Sequence, residues 1–174
     1  MPDGDTALSA RVVENIANIP PDTWDRLAGR DNPFVSYPFL LALEETGCAS
    51  NEAGWLPHHV VVEETNGEIV AAAPVYLKSH SQGEYVFDHG WAHAWERAGG
   101  RYYPKMQVAA PFSPVGGPRL LVGDAPDADD ARLTLLRALE TVCQKLELSS
   151  VHVTFTTEHD YDVMGLAGWI QRVG

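Results

Sequence analysis

The sequence is poor in everything that staples a chain or anchors it. Two cysteines stand among its 174 residues, Cys48 and Cys143, far apart and outside any CxxC spacing. That excludes a disulfide framework and a zinc ribbon, and reduced thiols point to the cytoplasm. No apolar run approaches the roughly 20 residues that cross a bilayer, so no membrane span is expected. Met1 to Leu8 has neither a basic start nor an apolar stretch, so no signal peptide is read there. Basic residues are scarce as well. Twelve Lys and Arg stand against 24 Asp and Glu, for a net charge of −12. Such a surface repels phosphate backbones, which excludes general nucleic-acid binding. The acidic residues fall in small groups, such as Glu63/Glu64 and Asp127/Asp129/Asp130, with no run long enough for a tail.

What is present is enough for a packed domain. Apolar residues make up 45% of the chain and charged residues 21%, ordinary values for a globular protein. Residues 1–10 read as a loose leader and 11–174 as a single domain. Arg11 to Ile16 reads as a first strand. Pro21 opens a short helix, because proline is tolerated in the first helical turn, and Gly29 ends it. Ser36 is placed to cap a second helix, Tyr37 to Thr46. The clearest local signal is His58 to Ser79. Two β-rich runs flank Asn66-Gly67, the pair expected in a type I′ hairpin turn. Pro74 has no N–H for a ladder, so it marks an edge or a bulge. Gly90 to Ala98 reads as helical, Gln107 to Ala110 as a short buried strand, and Arg119 to Val122 as a further extended piece. Asp127 to Leu148 is the longest helix, with Asp127 and Asp130 spaced as in a capping box. Ser150 to Thr157 reads as a strand with Val151, Val153 and Phe155 on one face. His159 to Ala167 is a last helix. Hairpins mixed with helical crossovers imply a mixed, mostly antiparallel sheet flanked by helices, an α/β (α+β) fold.

Several segments carry a resemblance. NPFVSYPFLLALEETG, GWLPHHVVVEE, the long stretch from AAAPVYLKSH through PFSPVGGPRLL, and HVTFTTE are similar to a bacterial family of FemAB-like proteins. These are GNAT-type acyltransferases, also labelled peptidoglycan-biosynthesis-like. The similarity runs from about Ala10 to the end and is densest between Asn32 and Leu121. It implies a GNAT-like acyltransferase fold and an acyl- or aminoacyl-transferase acting on an amine acceptor. Members are about twice this length and carry a second GNAT-like half. The chain is therefore expected to stop before its last strands, and to form a homodimer or pair with a second half. The alternative is a non-catalytic half that binds a ligand or packs on a catalytic one.

The resemblance also places candidate sites. In GNAT enzymes a splayed strand offers free backbone groups to the donor's pantetheine arm, and a glycine-rich loop at a helix start cradles pyrophosphate. Here that implies Val108, Phe112, Ser113, Val115, Gly116, Gly117 and Arg119 as cofactor-binding residues, with acyl-CoA as donor. The acidic start of the following helix opposes a pyrophosphate, and aminoacyl-tRNA is the alternative donor. The stretch Tyr85 to Lys105 suits a cleft for a polar ligand, because aromatics alternate there with a few charged groups. Asp88 or Glu96 is placed to accept a proton from the attacking amine, and Tyr103 to return one to the leaving group. Tyr85, His89, Trp91, Tyr102 and Lys105 are the candidate substrate contacts, for a small-molecule or peptide amine. His89 and His93 have a metal-ligand spacing, but Gly90 stands where a metalloprotease needs its glutamate and no third ligand is evident, so no metal is expected.

Overall fold

The computed structural model describes residues 7–125 and 128–173. The β-branched run at Val60 to Val62 forms the middle of a first sheet, because such side chains pack well on a pleated surface. Strand β3 (His59–Glu64) lies between β1 (Leu8–Val13) and β4 (Ile69–Ala73), all antiparallel. A second sheet has the order β2 (Trp55–Pro57), β5 (Val75–Lys78), β6 (Lys105–Val108), β7 (Val151–Val153). Its first two pairings are antiparallel and β6–β7 is parallel. The two sheets share chain. β2 runs into β3 at His58 and β4 into β5 at Pro74, with the His58 N–H donating to the Val75 carbonyl at the crossing. Leu121 forms an isolated bridge with Ala72, so the Arg119–Val122 piece extends the first sheet.

Among the described residues five α-helices flank these sheets: α1 (Pro21–Ala28), α2 (Tyr37–Glu45), α3 (His89–Arg97), α4 (Ala128–Lys145) and α5 (Glu158–Leu166). One core lies under α4 and α5. There Leu135, Leu139 and Val163 pack on Val60, Val62, Val75, Met106 and Val108. A second core lies under α1 and α2, where Trp24, Leu27 and Leu40 pack on Val61, Ala72 and Leu121. Each such side chain contributes about 2 kcal/mol on burial, which is why strand parity decides which helix covers which residue.

Several local expectations change. Residues 8–10 belong to β1 and not to a leader, because they pair with Glu64, Glu63 and Val62. That strand ends at Val13, and Ile16–Asn18 is a 3-10 turn capped by Asn15. Ser36 turns its hydroxyl back to the Pro33 carbonyl, so the first N–H of α2 is taken by Asp25 instead. In the β3–β4 hairpin Gly67 has a φ of 86° and Asn66 is not in the left-handed region, so the turn is not type I′. Asn66 accepts the Glu68 N–H, and the register shifts at Val62/Glu63 as in a bulged hairpin. β7 stops at Val153. Phe155 takes a φ of 53° and leaves the face expected for it. Asp127, the expected cap of α4, lies outside the described residues.

Candidate functional site

The second sheet has two unlike faces. Strand alternation puts Val75, Leu77, Met106, Val108, Val151 and Val153 toward α4, in the core. On the other face, Lys78 lies opposite Lys105, and Tyr76 lies opposite Gln107, which lies opposite His152. Trp55 of β2 lies opposite Lys78. A row of polar side chains inside a protein requires a polar cover. The segment 79–104, which carries α3, supplies it.

Two ammonium groups fasten that cover. Lys105 Nζ donates to Ser81 Oγ at 3.0 Å, Glu84 Oε2 at 2.8 Å and Asp88 Oδ2 at 2.7 Å. Lys78 Nζ donates to the Gln82 carbonyl, lies 3.7 Å from Glu84 Oε1, and sits 3.8 Å over the Trp55 ring. Tyr102 donates to Asp88 Oδ2 at 2.7 Å, Tyr103 and Ser81 share a 2.6 Å hydrogen bond, and the Trp55 indole N–H holds the Gln82 carbonyl. Both lysines are fully buried, and Glu84 and Asp88 nearly so. Tyr85, next to Glu84, takes a φ of 58°, a left-handed value that is costly for a non-glycine residue.

The shared environment pushes these groups apart. Burial pulls Lys78 down to about 8 despite Glu84. Burial raises Glu84, with Lys105 opposing. Burial also acts upward on Asp88, but hydrogen bonds from Lys105, Ser81 and Tyr102 outweigh it and bring Asp88 down to about 2. Burial, with Lys105 nearby, brings His152 down to about 4, and its Nε2 pairs with Ser150 Oγ. Burial and the bond to Asp88 raise Tyr102 well above its ordinary value.

Four buried side-chain atoms lack a hydrogen-bond partner among the described residues: Tyr76 Oη, Glu84 Oε1, Asp88 Oδ1 and Gln107 Oε1. All four belong to this one layer. A buried polar atom left unpaired costs about 1–3 kcal/mol, so a cluster of them marks a place kept for something other than stability.

The structure brings together Asp88, Tyr102, Tyr103 and Lys105 of the expected site. Tyr85, His89, Trp91 and Glu96 lie outside it, exposed on the cover. Glu96 points to solvent on α3, away from the ionic cluster. Trp91, Ala94, Trp95 and Tyr102 line an open apolar groove, with Tyr102 as its wall toward Asp88. Sequence reading missed Lys78, Ser81, Glu84, Gln107 and His152. The parity of Tyr76 and Lys78 within VYLK was the available signal, since it places a lysine on a face otherwise read as core. Among the described residues no group of three or more His, Cys, Asp or Glu is placed to hold a metal.

The expected cofactor residues follow a different logic. Val108 is buried in the core below α4, while Phe112 is exposed with a φ of 58°. Ser113 bonds the Pro111 carbonyl, and the Gly116 carbonyl accepts from Asn32. The Gly117 N–H goes to the Phe155 carbonyl, and a Cβ at Gly117 would collide with Asn32. Arg119 is buried, and its guanidinium is spent on the carbonyls of Thr154, Pro118 and Val115. Burial brings its pKa down to about 10, with Asp160 opposing. The backbone N–H groups of Arg119 and Leu120 both donate to Asp160 Oδ2, and Arg132 donates to Asp160 Oδ1. An internal carboxylate thus already holds both of these backbone N–H groups. Asp129 and Asp130 stand in the first turn of α4, where a pyrophosphate would need the opposite charge.

The element order and the mixed sheet define a GNAT-type acyltransferase fold. An aminoglycoside N-acetyltransferase solved in complex with CoA superposes with a TM-score of 0.56 at 13% identity, covering 99% of this chain and 95% of that chain. A Trypanosoma brucei acetyltransferase gives 0.52 at 14% identity, covering 97% and 96%. Glucosamine-6-phosphate N-acetyltransferase from Arabidopsis thaliana gives 0.51 at 10% identity, covering 96% and 94%. Within that class the chain belongs to the FemAB-like family, described by peptidoglycan biosynthesis and recognition, whose model matches residues 15–174. No curated protein matches the sequence.

Proposed function

We propose that this domain is an acyl- or aminoacyl-transferase acting on an amine, with its acceptor side at the polar layer under segment 79–104. The observation that carries the reading is the gathering of all four unpaired buried side-chain atoms in that layer. FemAB-like membership and the GNAT-type fold support the reaction class. Catalysis in such a site consists of positioning plus proton transfer, with no covalent intermediate. No helix of the described residues is long and apolar enough to cross a membrane. The exposed side chains of Leu166, Ile170 and Val173 support pairing with a second copy or a second half.

A second reading is a non-catalytic half that packs on a catalytic one. The engagement of the Arg119 and Leu120 N–H groups by Asp160 favours it. The test supplies acetyl-CoA, an aminoacyl-tRNA or an activated ester, with a lysine-containing peptide as acceptor. Transfer is read as a mass increase on the peptide. An enzyme-dependent amide product supports transfer, and its absence with every donor sinks the first reading in favour of the second.

A further inference from the structure

This inference rests on the transferase reading and concerns the proton that an amine must lose. An ammonium has no lone pair, so attack on an acyl carbon requires a base within reach. Seven polar side chains of the layer are candidates, and geometry sorts them. Asp88 carries two donors, Lys105 and Tyr102, both on Oδ2, and keeps Oδ1 unpaired. Tyr102 donates to that carboxylate and Tyr103 is tied to Ser81. His152 Nε2 is tied to Ser150. Lys78 and Lys105 act as cationic donors in their contacts. Glu84 is different. It carries one donor where Asp88 carries two: Lys105 grips Oε2, which fixes the carboxylate, while Oε1 is buried without a hydrogen-bond donor, 3.7 Å from Lys78 Nζ. Gln82 and Tyr85 on either side of it are exposed, so one loop separates it from solvent.

We infer that Glu84, and not Asp88 or Glu96, is the proton acceptor for the attacking amine, with Asp88 Oδ1 holding the ammonium and Lys105 positioning both carboxylates. One N–H bond of R–NH3+ breaks as Glu84 Oε1 gains the proton. The freed lone pair forms the amide bond to an activated acyl ester or thioester. The leaving alcohol or thiol departs with the bonding pair and takes up the second surplus N–H proton of the tetrahedral adduct, and Glu84 returns the first proton to solvent. The titration behaviour of the carboxylates agrees: Glu84 is raised, toward a working base, while Asp88 is held at about 2, too weak to take a proton near neutrality.

The test has two arms on the whole chain. In the first, protein labelled with 13C at glutamate carboxyl groups is titrated by NMR, with Glu84→Gln assigning the resonance and butylammonium as the probe. The expected result is a Glu84 signal that titrates above the ordinary glutamate value and moves on adding butylammonium. A signal titrating at or below that value, or unmoved by the probe, overturns the assignment. In the second arm, turnover is followed with the donor that the mass assay selects. Glu84→Gln is expected to lose roughly 10²-fold in kcat, with KM nearly unchanged and the acidic limb of the pH profile gone. Asp88→Asn is expected to raise KM for the amine. Wild-type turnover retained by Glu84→Gln overturns the base and leaves the transferase reading intact. A responsive Glu84 signal without turnover from any donor supports the amine site and overturns the reaction.

Discussion

The node around Asp160 and the layer around Lys105 are both buried, both charged and both hold a loop against the rest of the fold, yet they are finished differently. In the node, both oxygens of Asp160 have donors and every nitrogen of the Arg119 guanidinium has a carbonyl. In the layer, Lys105 is saturated by three acceptors, while four other atoms are left unpaired. A satisfied network rigidifies, and an incomplete one costs stability. The difference separates a structural clamp from a place held open for chemistry, and it explains why the glycine-rich segment near Arg119 behaves as architecture.

Removing a partner from the complete assembly should do the most damage. Asp160→Asn breaks the ion pair with Arg132 and removes the carboxylate charge that accepts the Arg119 and Leu120 N–H groups, and an unfolding free-energy loss of about 3–5 kcal/mol is expected in urea. A loss below about 1 kcal/mol would mean that the node is not a clamp.

The layer should show itself through pH. Unfolded His152 binds a proton below its ordinary value of 6.5, whereas the folded histidine resists until about 4. The unfolded state therefore holds more protons in that window, and stability falls as pH drops through it, by up to about 3 kcal/mol. His152→Gln should flatten this acid limb in melts taken between the two values. On the alkaline side the sign is the same for Lys78. The unfolded lysine keeps its proton to 10.5 and the folded one gives it up at about 8, so stability rises as pH climbs from 8 toward 10. The gain should be about 2 kcal/mol and absent from Lys78→Met.

Much of the fold was legible. The limits of α1, α2 and α3, the hairpin around Asn66-Gly67 and the apolar stripe of α4 all follow from local signals, because capping, turn and periodicity rules act over a few residues. The site was legible only by half. Asp88, Tyr102, Tyr103 and Lys105 stand within one stretch, and reading that stretch as a unit found them. Glu84, Lys78, Gln107 and His152 reach the same layer from other strands or the preceding loop. Only the pairings Lys78–Lys105 and Gln107–His152 put them side by side. Asp160 was invisible for the same reason, since 40 residues separate it from the Leu120 N–H it accepts. Sheet register carries this information, and one sequence does not print it.

The claim that the layer gives up stability for function is tested most directly by Tyr76→Phe. The Tyr76 hydroxyl is fully buried, and burial drives its pKa well above the ordinary tyrosine value. Deleting an unpaired hydroxyl while keeping the ring should raise the unfolding free energy by about 1 kcal/mol. A loss of that size instead would show that the hydroxyl is satisfied in solution, and the contrast between the two assemblies would fall.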